Sequence, residues 1–217
     1  IATGFFFFFA GKTIENVLNE RNIQNDFIWV DGETRTNTKV FEENGEVTEL
    51  NEPGPIIGEE QMKKLMNKLE EYADENALFI LAGSIPNGVD KHIYAKIIRL
   101  VHTKGAKVLL DADGELFRNS LAAGPDMIKP NRVELEEYAG IDYRASDEEI
   151  LQMARDLLAK GMKTVAVSMG KSGAMIVREG FEVRCPALSV KAHSTVGAGD
   201  AMVAALAYSW DQNLDDE

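Results

Sequence analysis

From residue 59 onward, short and almost continuously apolar runs alternate with stretches whose apolar residues recur every three or four positions. A strand that is apolar along its length has both faces covered, whereas a strand with one wet face alternates apolar with polar. The run at 78–82 is of the first kind, 164–168 reads as a further buried strand, and 107–111 and the short 126–129 read as strands between them. Between them lie helical stretches, among them 59–72, with Met62, Leu65, Met66 and Leu69 in a helical period, then 90–103 and 132–139. Buried strands separated by helices predict an α/β domain around a largely parallel sheet, with ligands at the C-terminal ends of its strands. Ser146 with Glu149 forms a capping box that opens a helix reaching Lys160. Residues 173–185 read as a hairpin turning at Glu179-Gly180, and a last helix starts within 197–200 and runs toward Trp210.

Residues 27–50 follow another rule. Short extended pieces alternate with charged turns, and Asp31-Gly32 and Asn44-Gly45 are hairpin turn signals, so the stretch predicts a small antiparallel sheet. Pro53, Gly54, Pro55 and Gly58 punctuate the change of regime. The resulting division is 1–26 as an incomplete start of the α/β core, 27–55 as a small β lid and 56–217 as the main core, with elements missing at both ends. The run from Phe5 to Phe9 reads either as a buried, strand-like segment or as an irregularity of the sequence itself, through an error, a closed gap or an engineered change. Gly11-Lys12-Thr13 imitates the end of a phosphate-binding P-loop, but that loop needs a glycine five positions before Gly11, where Phe6 stands. Lys12 is therefore read as a solvent residue at a helix start.

Charge excludes whole classes of partner. The chain carries 23 Lys and Arg against 36 Asp and Glu, a formal charge of −13, so neither a nucleic-acid backbone nor an anionic membrane surface is the expected partner. A small anionic substrate remains compatible, because a few cations and a helix terminus can hold phosphate inside an acidic protein. Cys185 stands alone, so an intrachain disulfide and the cysteine-rich zinc and iron-sulfur sites are excluded, and a reducing compartment, the cytoplasm, is expected. The longest apolar run, 5–10, is far short of the roughly 20 residues a spanning helix needs.

The chemistry concentrates in HSTVGAGDAMVAALAYSW, His193 to Trp210. Gly197-Ala198-Gly199 precede an apolar helix and leave backbone amides uncovered, so an anion can approach the positive end of that helix closely. Asp200 follows, where a carboxylate can take the proton of an attacking hydroxyl while the amides stabilise charge on a transferring phosphoryl group. A bare glycine turn capped by an aspartate is the bland alternative.

The string STVGAGD resembles the C-terminal signature of the ribokinase-like carbohydrate kinases, the PfkB family. GETRTNTKV, LAGSIPNGV, LLDADGELF, IKPNRVELEEYAG and VSMGKSGAM recur in that family's order, so the resemblance covers nearly the whole chain apart from the phenylalanine run. Within the family the chain resembles the 1-phosphofructokinases, with tagatose-6-phosphate kinases as near relatives. The resemblance implies a ribokinase-like, Rossmann-type three-layer α/β domain with a small β-sheet lid, ATP and Mg²⁺ as cofactors, and a homodimer formed through the lid.

It also implies roles, residue by residue. Asp200 matches the general base, and Gly197, Ala198 and Gly199 match the anion hole. Asn131 and Glu134 match an Asn-x-x-Glu pattern that organises Mg²⁺, Glu134 through water, although helix capping by the same pair is the structural alternative. Arg35, with Asn37 and Lys39 on the same face of the lid, would meet the phosphate already on the sugar, since a guanidinium fork suits phosphate oxygens. Gly83, Ser84 and Asp111 stand at strand ends expected near the sugar, with turn and cap roles as alternatives. Lys129, Asn131, Ser168, Gly170 and Gly173 are expected along the nucleotide, although Lys129 can equally end its strand in water. Asp111 with Asp113 does not by itself specify a metal, and His92, His102 and His193 lack zinc spacing and take surface or capping roles.

The pattern departs from the family in Ala201, where a serine usually follows the catalytic aspartate. The N-terminal glycine-rich sugar motif and the last adenine-site elements are expected outside this chain. The activity implied is phosphorylation of D-fructose 1-phosphate at O6, giving fructose 1,6-bisphosphate. Two other readings remain, a tagatose-6-phosphate kinase and a catalytically impaired protein that binds sugar phosphates or serves in assembly.

Overall fold

The structure, a computed structural model, describes residues 1–41, 47–189, 196–212 and 214. The Asn44-Gly45 turn, His193 and the Ser194-Thr195 start of the signature lie outside the described residues. The chain divides into two compact units, Ile1–Glu71 with Ile85–Asp90, and Tyr72–Ser84 with Lys91–Glu217.

In the first unit, β1 (Phe5–Phe7) leads directly into α1 (Phe8–Glu20), and β2 (Ile28–Val30) pairs with β1 in parallel, Phe5 beside Ile28. The phenylalanine run is thus half strand and half helix. Phe6 is buried and stacks on Phe27 with ring centroids 3.6 Å apart, whereas Phe8 and Phe9 face outward. This pairing corrects the expectation that 27–30 opens the antiparallel sheet: the aromatic stack and the parallel register take that segment to β1. Asp31-Gly32 is consequently a bend rather than a hairpin turn. The antiparallel sheet is β3 (Asn37–Phe41) with β4 (Val47–Asn51), closed at its base by Thr36 N–H donating to Glu52 Oε2 at 2.8 Å. Lys12 lies inside α1, paired with Glu15, and not at the helix start; a Cβ on Gly11 would meet Phe6 Cβ at 2.9 Å, so that glycine serves packing. The helix α2 (Glu59–Tyr72) buries Leu65 and Leu69, as its period requires, and Lys68 pairs with Asp26.

In the second unit the chain runs through β5 (Leu78–Ala82), α3 (Ile93–His102), β6 (Lys107–Asp111), α4 (Gly114–Leu121), β7 (Met127–Ile128), α5 (Arg132–Ala139), α6 (Asp147–Leu158), β8 (Thr164–Ser168), β9 (Ala174–Arg178), β10 (Phe181–Cys185) and α7 (Ala198–Asp211). Among the described residues these strands form one sheet in the order β10-β9-β8-β7-β6-β5. Neighbours from β5 to β8 are parallel, and the β9–β10 hairpin, turning at Glu179-Gly180, adds antiparallel to β8. The four runs singled out in the sequence share this sheet, although β7 is shorter than the 126–129 expected.

Burial follows from the two-sided cover that continuous apolarity requires. Val108, Leu109, Leu110, Ile128, Val165, Ala166 and Val167 are fully buried. Leu109 and Met127 pack with Val203 and Ala207 of α7 on one face. Val108 and Leu110 point to the other face, because side chains alternate along a strand. Each such Val or Leu contributes about 1.5–3 kcal/mol relative to exposure, which anchors the strand ends where polar residues emerge. The capping box predicted at Ser146–Glu149 is formed in full, and so is one at Asn131–Glu134, where capping was the alternative to a magnesium role. Asp126 replaces the expected start of β7 with a polar knot: it accepts from Val108 N–H at 2.9 Å, from Lys163 at 2.7 Å and lies 3.1 Å from His102 Nε2.

Candidate active site

Four parallel strands of the second unit end side by side, and backbone hydrogen bonds lace the segments that follow them. Gly83 N–H donates to the Asp111 carbonyl at 3.1 Å, Lys129 N–H to Leu110 at 3.0 Å and Ser168 N–H to Pro130 at 3.0 Å. Asn131 continues this as a parallel bridge to Ser168. Gly83, Asp111, Lys129, Asn131 and Ser168, chosen separately from the sequence, are therefore brought to one edge of one sheet.

Lys129 is the most informative of them. Its side chain is almost fully buried, and Nζ lies 3.0 Å from Asp111 Oδ1. A Cβ placed on Gly199 would stand 3.8 Å from that Nζ, so the ammonium also faces the first turn of α7. The solvated strand-end alternative for Lys129 is thereby excluded. Gly197 caps α7 in the left-handed conformation, φ 81°, which only glycine adopts freely. Gly199 has no such constraint; its missing side chain keeps space open near Lys129 rather than relieving the backbone. The amides of that first turn have no intrahelical acceptor. Asp200, third residue of the helix, is exposed beside them.

Asn131 and Glu134 behave at first sight as a helix cap: Asn131 Oδ1 accepts from Glu134 N–H at 2.9 Å, and Asn131 N–H donates to Glu134 Oε2 at 2.8 Å. Glu134 is not an ordinary surface residue, however. Burial pushes its carboxyl above the usual range; the Asn131 N–H and the Lys129 ammonium oppose that, while Asp111 and Asp113 add to it. Glu134, Asp111 and Asp113 share one neighbourhood, with Lys129 as the cation opposing them at Glu134, which leaves a surplus of negative charge on hard oxygen atoms. No group of three or more His, Cys, Asp or Glu among the described residues encloses a metal ion. The oxygens present fit a hydrated magnesium, which keeps waters and takes few protein ligands.

Tyr94 was missed in the sequence. Its hydroxyl lies 2.9 Å from the Ala82 carbonyl and 3.2 Å from that of Gly83, tying α3 to the end of β5. Burial, with Asp111 and Asp113 adding, pushes its phenol up to about 12. A lone tyrosine in a helical stretch carries no local signal for this placement.

Other expected residues fall elsewhere or for other reasons. Arg35, Asn37 and Lys39 belong to the first unit; Asn37 and Lys39 sit two apart in β3, opposite Asn51 and Glu49, while Arg35 precedes the strand and lies against Gly54. Ser84 follows Gly83 directly. Gly170 opens a short 3₁₀ turn after β8. Gly173 has φ 91°, and a Cβ there would come within 1.9 Å of the Cys185 carbonyl, so close chain approach alone demands glycine. His102 is structural, through Asp126.

A family model for the pfkB family carbohydrate kinases matches residues 6–217. The chain is 35% identical over 211 residues to the 1-phosphofructokinase of Haemophilus influenzae, covering 95% of this chain and 67% of that protein. It is 32% identical over 203 residues to the D-tagatose-1-phosphate kinase of Bacillus licheniformis, covering 94% and 66% respectively. The chain thus spans about two thirds of the length of these relatives. Among solved structures, phosphofructokinase-2 from Escherichia coli in complex with substrates and products superposes with a TM-score of 0.90 at 27% identity, over 99% of this chain and 71% of that one. The ribokinase-like α/β fold expected from the motifs is borne out.

Proposed function

Because the chain belongs to the pfkB family of carbohydrate kinases, we propose that it phosphorylates D-fructose 1-phosphate at O6 at the expense of ATP, giving fructose 1,6-bisphosphate and ADP. The observation that carries the reading to this chemistry is the buried Lys129 ammonium facing the first turn of α7, whose third residue is Asp200. Asp200 takes the proton from the attacking sugar hydroxyl. The amides of Gly197, Ala198 and Gly199, with the Lys129 ammonium, stabilise the charge that develops on the equatorial oxygens of the transferring group.

Glu134 and Asn131 would hold a hydrated Mg²⁺, Glu134 by way of a water, with Asp111 and Asp113 adding to the local negative field. Bound magnesium supplies charge neutralisation on the nucleotide phosphates. Asp111 keeps the lysine in place and, with Gly83 and Ser84, borders the sugar. Ser168, Gly170 and Gly173 border the nucleotide. Arg35, helped by Asn37 and Lys39, recognises the phosphate already on the sugar. The β3–β4 sheet, within the 27–55 stretch expected as the lid, is the small β lid, and two copies pair through it. The cytoplasm, reducing and rich in ATP, is where this reaction belongs.

The second reading is set by the Bacillus licheniformis relative, whose name places the phosphate on carbon 1 of tagatose rather than carbon 6. Both substrates then share the phosphate position and the reacting hydroxyl and differ in one stereocentre. A panel of fructose 1-phosphate, fructose 6-phosphate, tagatose 1-phosphate and tagatose 6-phosphate, each with ATP and Mg²⁺, tests the proposal. The highest kcat/KM is expected for fructose 1-phosphate. A higher value for tagatose 1-phosphate selects the second reading, and no turnover with any selects the noncatalytic one.

A further inference from the structure

The second unit carries a cleft of about 450 Å³ that the proposed reaction does not use. Ala122, Ala123 and Gly124 line it between the end of α4 and the start of β7, and Lys160 lines it between α6 and β8. The cleft therefore lies where those parallel strands begin, whereas the candidate active site lies where they end.

Arg118 and Lys160 line this cleft, and no carboxylate does. Many basic side chains of this acidic chain meet an acid, as Lys91 does Glu115 and Arg155 does Glu182. Arg118 and Lys160 form no ion pair among the described residues. Arg118 Nη2 donates to the Glu137 carbonyl at 2.6 Å, and Lys160 Nζ donates to Tyr138 Oη at 2.9 Å while lying 5.1 Å from the centre of that ring. These contacts hold both cations in place and leave most of their donors unused, since a guanidinium carries five N–H groups and an ammonium three. Tyr138 Oη, accepting from Lys160, keeps its own proton to donate. Cations are favoured near the C-terminal ends of α4 and α6 by the helix dipoles. That accounts for their charge, but not for an open cleft free of carboxylates between them.

We propose that this cleft binds a small organic phosphate ester, its phosphate held by Arg118, Lys160 and Tyr138 and its carbon skeleton resting on Ala122 and Ala123. A dianion satisfies two unpaired cations at once, and a forked guanidinium matches phosphate oxygens. The site is separate from the catalytic proposal and does not depend on it.

The test is a titration of the ¹⁵N-labelled protein with glycerol 3-phosphate, followed by amide signals. Saturable shifts are expected at Ala122, Ala123 and Gly124. Arg118→Gln and Lys160→Gln, both at exposed positions, should each weaken this binding roughly tenfold, the scale of one charge-assisted hydrogen bond. Asp200→Asn should leave it unchanged. Either single variant suffices should the other fail to fold. Shifts absent from these amides, growing linearly without saturation, or of undiminished affinity in both Gln variants would overturn the proposal.

Discussion

Asp111 ends β6, Lys129 follows directly on β7, and the two meet head to head, Nζ to Oδ1 at 3.0 Å, with the lysine side chain 6% exposed. A buried ammonium held by one carboxylate beside the first turn of a helix is costly unless the fold needs a fixed positive charge there. The pair therefore separates stability from function. Lys129→Met leaves Asp111 without its partner and should cost about 2–3 kcal/mol, less than for a fully buried pair because Asp111 keeps some solvent. Lys129→Met with Asp111→Leu should recover much of that stability and none of the ATP affinity. Denaturant melts and a nucleotide-binding titration on both variants check this; recovered ATP affinity in the double variant would remove Lys129 from the phosphate site.

Glu134 makes the opposite prediction. Its carboxyl is raised by burial, so its protonated form suits the fold; the associated stability is complete below pH 4.5, the ordinary value, and is lost as pH rises through the folded-state pKa. Glu134→Gln keeps the hydrogen-bonding shape of the cap without the charge. Its melting temperature at pH 7 should equal or exceed that of the parent, while the Mg²⁺ concentration needed for half-maximal activity rises several-fold. A marked fall in melting temperature would show that the negative charge stabilises the native state.

Tyr94 gives a spectroscopic check. Of the five tyrosines, it should deprotonate at about 12, seen as late growth of phenolate absorbance that Tyr94→Phe removes. Stability linked to this phenol is complete below pH 10 and lost as pH rises through about 12. Losing the hydrogen bond to the Ala82 and Gly83 carbonyls should cost about 1 kcal/mol. If the phenolate lost in Tyr94→Phe is one that forms near the ordinary value of 10, and the late growth persists, the burial of its hydroxyl is contradicted.

Asp126 tests the far end of the same strands. Burial pushes its carboxyl up, but Lys163, the Val108 N–H and His102 outweigh it and hold the pKa below the ordinary 3.8. Its contribution to stability is therefore present above that value and disappears as pH falls through the folded-state pKa. Asp126→Asn should lose about 1–2 kcal/mol at pH 7, discounted because Lys163 is exposed, and should converge on the parent in acid. A difference that persists unchanged in acid would rule out the charge as its cause.

What could be read from the sequence, and what could not, divides along the reach of the contacts. The strands at 78–82, 107–111 and 164–168 and the cap at Ser146 depend on period and neighbours, and the structure has them where expected. The parallel pairing of Phe5 with Ile28 joins segments separated by a helix, and the turn signal at Asp31-Gly32 could not reveal that a stronger partner lay upstream. Lys129 was recognised as a candidate, but its pairing with Asp111 comes from adjacent strand ends that only the sheet order brings together. Tyr94 had no local signature at all. Gly173 shows the reverse: a family-like position whose glycine is already required by the Cys185 carbonyl.

The central claim is that a carboxylate at Asp200 activates the O6 hydroxyl of fructose 1-phosphate. The direct measurement is the rate of fructose 1,6-bisphosphate formation at saturating ATP and fructose 1-phosphate for the parent and Asp200→Asn, with ATP affinity measured separately. Loss of a general base predicts a fall in kcat of about 10²- to 10⁴-fold with ATP affinity and melting temperature nearly unchanged. Near-parental turnover by Asp200→Asn would contradict it.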